Sequence, residues 1–137
     1  MQIREISLQE LDIAYELIKE LRELSYDEFE DLVYDMRHRE YKMFGLFERN
    51  VLLSYAGVVV QTNLYHKKHL YIDDLVTKTS SRSCGYGNEM LEYLEDYAKI
   101  FQCRHMVLSS GFTRESAHRF YEQHGFSKQS FLFLKTL

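Results

Sequence analysis

The spacing of apolar residues changes period along this chain, and each change marks an element. Residues 2–6 (QIREI) alternate as a short strand does. Ser7-Leu8-Gln9-Glu10 then has the capping-box pattern, and Leu8, Leu11, Ala14, Tyr15, Leu17, Ile18 and Leu21 fall on one helical face. A second box, Ser25-Tyr26-Asp27-Glu28, opens a helix with Phe29, Leu32, Val33 and Met36 inward. The acids Asp27, Glu28, Glu30 and Asp31 crowd its first turn, where the helix dipole favours them. From residue 42 the period becomes two. Residues 42–48 and 52–62 read as strands joined by a hairpin turn at Arg49-Asn50, and residues 70–77 as a third strand after the polar break His66-Lys67-Lys68-His69.

Residues 88–101 return to the helical period, with Met90, Leu91, Leu94, Tyr97, Ala98 and Phe101 inward. Residues 105–109 predict a strand, 115–124 a helix stopped by Gly125, and 131–135 a last strand. The order β-α-α-β-β-β-α-β-α-β mixes hairpins with a crossover, which predicts an α+β fold, a central mixed β-sheet flanked by helices, in one domain over residues 1–137. Asp73 and Asp74, adjacent on a strand, are expected on opposite faces, so that one of them faces any cleft.

Composition narrows the class. With 137 residues, 45% of them hydrophobic, the chain can bury a core. Proline is absent, so sharp turns fall to Gly, Asn, Asp and Ser. The formal charge of −4 argues against a nucleic-acid partner. It is unevenly spread: residues 1–40 hold twelve acids and five bases, net −7, which leaves +3 for the remainder. An acidic first third before a mildly basic remainder fits an anionic ligand held by the later segment. Cys84 and Cys103 form no CxxC pair and no disulfide framework, and no apolar run approaches a membrane span, so a reduced, cytoplasmic setting is expected. The six histidines show no HExxH and no four-ligand set; His66 and His69 are expected to decorate a turn, and no metal is expected.

The most informative stretch is Arg82-Ser83-Cys84-Gly85-Tyr86-Gly87, between a strand and a long amphipathic helix. A glycine-bearing turn that opens a helix aims unpaired N–H groups and the positive end of the helix dipole at one point, which suits a pyrophosphate. Gly85 and Gly87 allow close backbone approach, and Arg82 adds a cation. No GxxxxGK loop is present, and the third glycine of a dinucleotide fingerprint is missing.

What remains, Arg-x-x-Gly-x-Gly after a strand and before a helix, resembles the coenzyme A pyrophosphate loop of the GNAT N-acetyltransferase family. The segment Arg114 to Phe126, with Ala117, Phe120-Tyr121 and Gly125-Phe126, resembles a later motif of that family, and the strand Tyr71-Ile72-Asp73-Asp74-Leu75-Val76-Thr77 its fourth strand. The likeness covers nearly the whole chain. Thr79 stands where the family often has Pro, Ser83 where it often has Gly, and Arg114 where it often has Asn.

The resemblance implies an enzyme, an acyltransferase that moves an acetyl group from acetyl-CoA to a primary amine by direct attack, with no metal. The acceptor would be a small molecule or a protein, and the acid-rich first helices suggest a cationic one. In this reading Tyr121 donates a proton to the departing thiolate; a phenol of pKa about 10 is protonated at neutral pH and close to a thiol at about 8.5. Asp73 is the candidate base, with Asp74 or water left open, because a carboxylate of pKa about 3.9 is a poor direct base for an alkylammonium. Leu75, Val76 and Thr77 would pair with the pantetheine arm like an added strand. Arg82, Ser83, Cys84, Gly85, Tyr86, Gly87 and Asn88 would hold the pyrophosphate, and Ser116 and Phe120 would line the cofactor. The alternative is a non-catalytic acyl-CoA-binding sensor or a protein-interaction module of the same fold; a homodimer is compatible with both.

Overall fold

A computed structural model describes residues 1–137. Nine elements follow one another: β1 (Gln2–Glu5), α1 (Leu11–Ile18), α2 (Tyr26–Met36), β2 (Lys42–Glu48), β3 (Val51–Asn63), β4 (Lys67–Thr77), α3 (Tyr86–Ile100), β5 (His105–Val107) and α4 (Glu115–Gln123). The chain forms two compact units, Met1–Val107 and Leu108–Leu137.

The first unit holds the sheet, ordered β1-β2-β3-β4-β5. The first three pairings are antiparallel and β4–β5 is parallel, so the sheet is mixed as the pattern predicts. The capping-box glutamate performs its role: the Glu10 carboxylate accepts from the Ser7 N–H at 3.0 Å and also holds Arg4 at 2.8 Å. Ser25 caps α2 by accepting from the Glu28 N–H. Arg49 and Asn50 both take positive φ, 51° and 65°, as a two-residue hairpin turn requires.

The helices cover both faces. Met43 belongs to a buried cluster with Leu11, Ala14, Leu17 and Ile18 of α1, Phe29 and Val33 of α2, and Tyr55, Val59 and Val76 of the sheet. Its neighbour Phe44 points the other way, against Tyr93 and Tyr97 of α3 at 5.3 and 5.1 Å between ring centroids. So α1 and α2 pack on one face and α3 on the other.

Two expectations fail in detail. β4 begins at Lys67, three residues earlier than the hydrophobic pattern suggests, and His69 does not decorate a turn. Its ring is fully buried, with Nδ1 at 2.8 Å from the Lys67 carbonyl and Nε2 at 3.1 Å from the Gln61 amide. Two partners satisfy a buried imidazole, which is why a polar residue survives in that strand.

The second unit carries α4, which ends in a Schellman motif: Phe126 N–H donates to the Tyr121 carbonyl, Gly125 N–H to that of Glu122, and Gly125 takes φ 87°. The strand expected at residues 131–135 is not formed. Phe131, Leu132, Phe133 and Leu134 alternate with nothing and stand exposed, Phe133 at 93%.

Candidate active site

The site is built where β4 departs from regular pairing. Gly57 of β3 faces Asp74, yet the next residue, Val58, faces Ile72, so Asp73 is an extra residue in β4. Such a bulge disturbs alternation. As a result Asp73 and Asp74 both face the cleft on the α1–α2 side, and the expectation of opposite faces is corrected. That cleft, about 230 Å³, is lined by Ile18, Arg22, Leu24, Phe29, Leu32, Val33, Met36, Tyr41, Asp73 and Asp74. A larger hollow of about 360 Å³ lies between residues 5–9, at and just after the end of β1, and the chain from Arg37 into the start of β2, and contains neither aspartate.

A hydrogen-bonded row forms the cleft floor. The Tyr41 hydroxyl donates to Asp74 Oδ2 at 2.8 Å. A phenol has one proton, so the 2.9 Å contact between Tyr41 and Tyr55 is donated by Tyr55. Both phenols are buried, and burial holds both well above the usual phenol range. They are fixed donors. Gly57 makes room for this row: a Cβ there would fall onto the Tyr41 hydroxyl. Arg22, in the turn after α1, donates from Nε to Asp74 Oδ1 at 3.1 Å and from Nη2 to the Asp73 carbonyl at 3.0 Å. Arg39 lies 3.5 Å from Asp73 Oδ2. Burial raises the Asp73 carboxyl above the ordinary carboxylate range, and Arg39 pulls it partly back.

β4 continues from this floor towards the turn. It pairs with β5 over three residues only, His69 to Tyr71, so the β4 edge from Ile72 to Thr77 has no strand beside it on that side. Lys78 N–H donates to the Leu53 carbonyl and the Val76 carbonyl accepts from Ser54 Oγ, both towards β3. Alternation then gives the open edge to the backbone groups of Leu75 and Thr77, and Val76 serves the sheet.

After Thr77 the chain makes the turn that the sequence singles out. Ser83 and Gly85 both take left-handed backbone, φ 68° and 83°, and Gly85 is the N-cap of α3. Cys84 between them is exposed. Arg82 is exposed and its Nε lies 3.4 Å from the Thr77 carbonyl. Tyr86, Gly87 and Asn88 form the first turn of α3; Tyr86 donates to Glu48 and Asn88 to Glu92. Glu20 braces the turn from α1's end, accepting from both the N–H and the hydroxyl of Thr79, and the hydroxyl bond lowers its pKa.

Thus Asp73, Leu75, Val76, Thr77 and Arg82 to Asn88 lie along one strand and its exit. The remaining candidates sit on α4 in the second unit. There Ser116 is exposed and Phe120 half-buried. Tyr121 is buried, with its ring 5.6 Å from that of Phe120 and 5.8 Å from that of Phe126. Sequence reasoning missed Tyr41, Tyr55, Arg22 and Arg39. Gly57 was the available signal, since a glycine inside a β-branched strand marks a bulge or a close approach. No group of three or more His, Cys, Asp or Glu side chains is placed to hold a metal, and no helix is long and apolar enough to cross a membrane.

A mixed sheet whose fourth strand is bulged, open along one edge and followed by a left-handed turn into a helix defines a site suited to an extended arm that ends in an anion. Residues 6–126 match the model of the Acetyltransferase (GNAT) family, and the chain belongs to that family. It is 35% identical to the uncharacterized N-acetyltransferase YhdJ of Bacillus subtilis, over 94% of this chain and 93% of that protein. It is 28% identical to the aminoalkylphosphonate N-acetyltransferase of Salmonella typhimurium, over 99% of this chain and 91% of that one. Among solved structures, the aminoglycoside 6'-N-acetyltransferase AAC(6')-Ig of Acinetobacter haemolyticus shares the fold with a TM-score of 0.85 at 14% identity, covering 100% of this chain and 99% of that one. With its family and relatives along nearly its whole length, the chain is an N-acetyltransferase.

Proposed function

We propose that the chain transfers an acetyl group from acetyl-CoA to a primary amine by direct attack, as one domain whose family match spans both compact units. The observation that carries this reading is the continuity of β4. One strand holds two carboxylates at its bulge, an open edge after it, and a left-handed turn at its exit. The pantetheine amides pair with Leu75 and Thr77, and the pyrophosphate lies on the turn from Arg82 to Asn88. Ser116 and Phe120 contribute to the cofactor groove.

The acceptor ammonium enters the cleft beside Asp73 and Asp74 and loses a proton through water before attack. The nitrogen lone pair forms the C–N bond at the thioester carbonyl, the tetrahedral centre collapses, and the C–S bond breaks. Tyr121 protonates the departing CoA thiolate, and the cationic nitrogen gives up its second proton to water, through which Tyr121 regains one. Positioning carries most of the acceleration, and the two carboxylates bind and orient rather than act as strong bases.

The test is a thermal-melt titration with acetyl-CoA, with NAD and ATP as controls, followed by thiol release with amine acceptors. Ligand at about 100 times its Kd adds about 2.7 kcal/mol. Stabilisation by acetyl-CoA alone, with amine-dependent thiol release that falls in Tyr121→Phe, is the expected result. No melt shift at millimolar acetyl-CoA would overturn the reading.

A further inference from the structure

Each carboxylate in the cleft faces an arginine: Asp74 faces Arg22 and Asp73 faces Arg39. The surplus acids of the first forty residues are elsewhere; none of those on α1 or α2 lines the cleft. The Arg22–Asp74 pair is an unusual piece of scaffold. Arg22 is 49% exposed, and an ion pair that open to solvent adds little to folding. It joins residues 52 apart in sequence at the polar end of an otherwise apolar cleft. Asp74 is already held in place by Tyr41. Arg22 uses two of its five N–H donors, on Asp74 and on the Asp73 carbonyl, and the others remain for a ligand.

We infer that the acceptor is a small zwitterion, a primary amine carrying a carboxylate, phosphonate or phosphate a few carbons away, whose anion is held by Arg22 while its ammonium takes the place of Arg22 on Asp74. This deepens the acetyl-transfer reading and rests on it. The Arg22–Asp74 pair is the placeholder for the substrate's own charges. When such a ligand enters, each protein charge exchanges one partner for another, and Asp74, the more enclosed of the two at 15% exposed, keeps a cation beside it. A simple alkylamine takes the place of Arg22 on Asp74 and gives the guanidinium no anion in return. A diamine sets a second cation against it, so rejection of diamines is built in as repulsion. The apolar lining of Ile18, Leu24, Phe29 and Val33 accommodates a short hydrocarbon spacer.

The experiment compares ethylamine, 1,3-diaminopropane, β-alanine and 2-aminoethylphosphonate as acceptors for the full chain with acetyl-CoA, reading thiol release and product mass. The zwitterions should exceed ethylamine in kcat/KM by tenfold or more, with the diamine lowest. Arg22→Gln should lower the zwitterion-to-ethylamine ratio through KM rather than kcat. Arg22→Lys should restore most of it, and Arg22→Glu should invert it in favour of the diamine. A melt of each variant shows that it is folded. Equal use of ethylamine and the zwitterions, or a ratio unmoved by Arg22→Glu, would overturn the inference and leave acetyl transfer intact. Transfer to none of the four, despite acetyl-CoA binding, would overturn the inference for these acceptors while the wider amine screen decides the reading beneath it.

Discussion

The cleft floor and the turn before α3 both lie on the path of β4, yet they are organised by opposite means. The floor is made by side chains: Tyr55, Tyr41, Asp74 and Arg22 form a row in which each group is fixed by the next, over a glycine that leaves space for it. The turn presents backbone: two left-handed residues and a helix N-terminus, braced from outside by Glu20 through Thr79, with the Arg82, Ser83 and Cys84 side chains exposed. Under the proposed function, the difference teaches that the two substrates are read differently. The pyrophosphate of acetyl-CoA would be the same in every turnover, and amide N–H groups suffice for it. An acceptor has to be distinguished from similar amines, and that requires named side chains in fixed positions.

The largest effect should come from filling the space under the floor. Gly57→Ala places a methyl on the Tyr41 hydroxyl. The expected loss is about 3 kcal/mol, on the order of 10 °C in melting temperature, with acceptor turnover falling as well. An unchanged melt would mean that Tyr41 is not held by the missing Cβ. Asp74→Asn keeps the shape and removes the charge. It should reduce kcat/KM for the amine on the order of 100-fold while the acetyl-CoA dissociation constant stays within about twofold. An equal loss on both substrates would erase the contrast between the two regions.

Smaller effects are expected at the turn. Gly85→Ala meets no atom within 4 Å, so its only cost is the left-handed φ of 83°, about 1 kcal/mol, and acetyl-CoA should weaken while amine selectivity is unmoved. Ser83→Gly works in the opposite direction. Ser83 holds φ 68°, a conformation glycine adopts freely, and the relief less the added chain entropy leaves a gain of about 0.5 kcal/mol in a denaturant melt. The smallest effect should be at Glu10, outside both regions. Arg4 and then the Ser7 amide bring its carboxyl down to about 2 from 4.5. A depressed acid stabilises the fold above its unfolded value and loses that contribution as pH falls from about 4.5 towards 2. Glu10→Gln should flatten the acid limb of the stability curve in that window and leave both substrates alone.

Capping boxes, period changes and turn residues made most of the first unit legible, because each is a local signal with a local cause. Strand 42–48 and the left-handed pair Arg49-Asn50 follow from six or seven residues of context. The turn at Ser83–Gly85 was legible for the same reason. The cleft floor was not, because it joins Tyr41, Tyr55, Asp74 and Arg22 across 52 positions and depends on an extra residue in a strand whose apolar pattern does not announce it. Segment 131–135 failed for the converse reason. Its apolar run shows that it can be a strand, and a strand also needs an edge to pair with, which no local pattern supplies.

The extra residue at Asp73 is in effect a change of reading frame. Before it, even-numbered residues of β4 such as Leu70 and Ile72 look towards α3; after it, Asp74 and Val76 look towards α1 and α2. Deleting Asp73 would join Ile72 to Asp74, restore strict alternation and leave every pairing on either side as it is. Val76 would keep its place in the core, and the backbone groups of Leu75 and Thr77 would keep the open edge. Only the second carboxylate of the cleft would be lost. The bulge therefore adds one side chain to the cleft without disturbing the register of the strand around it.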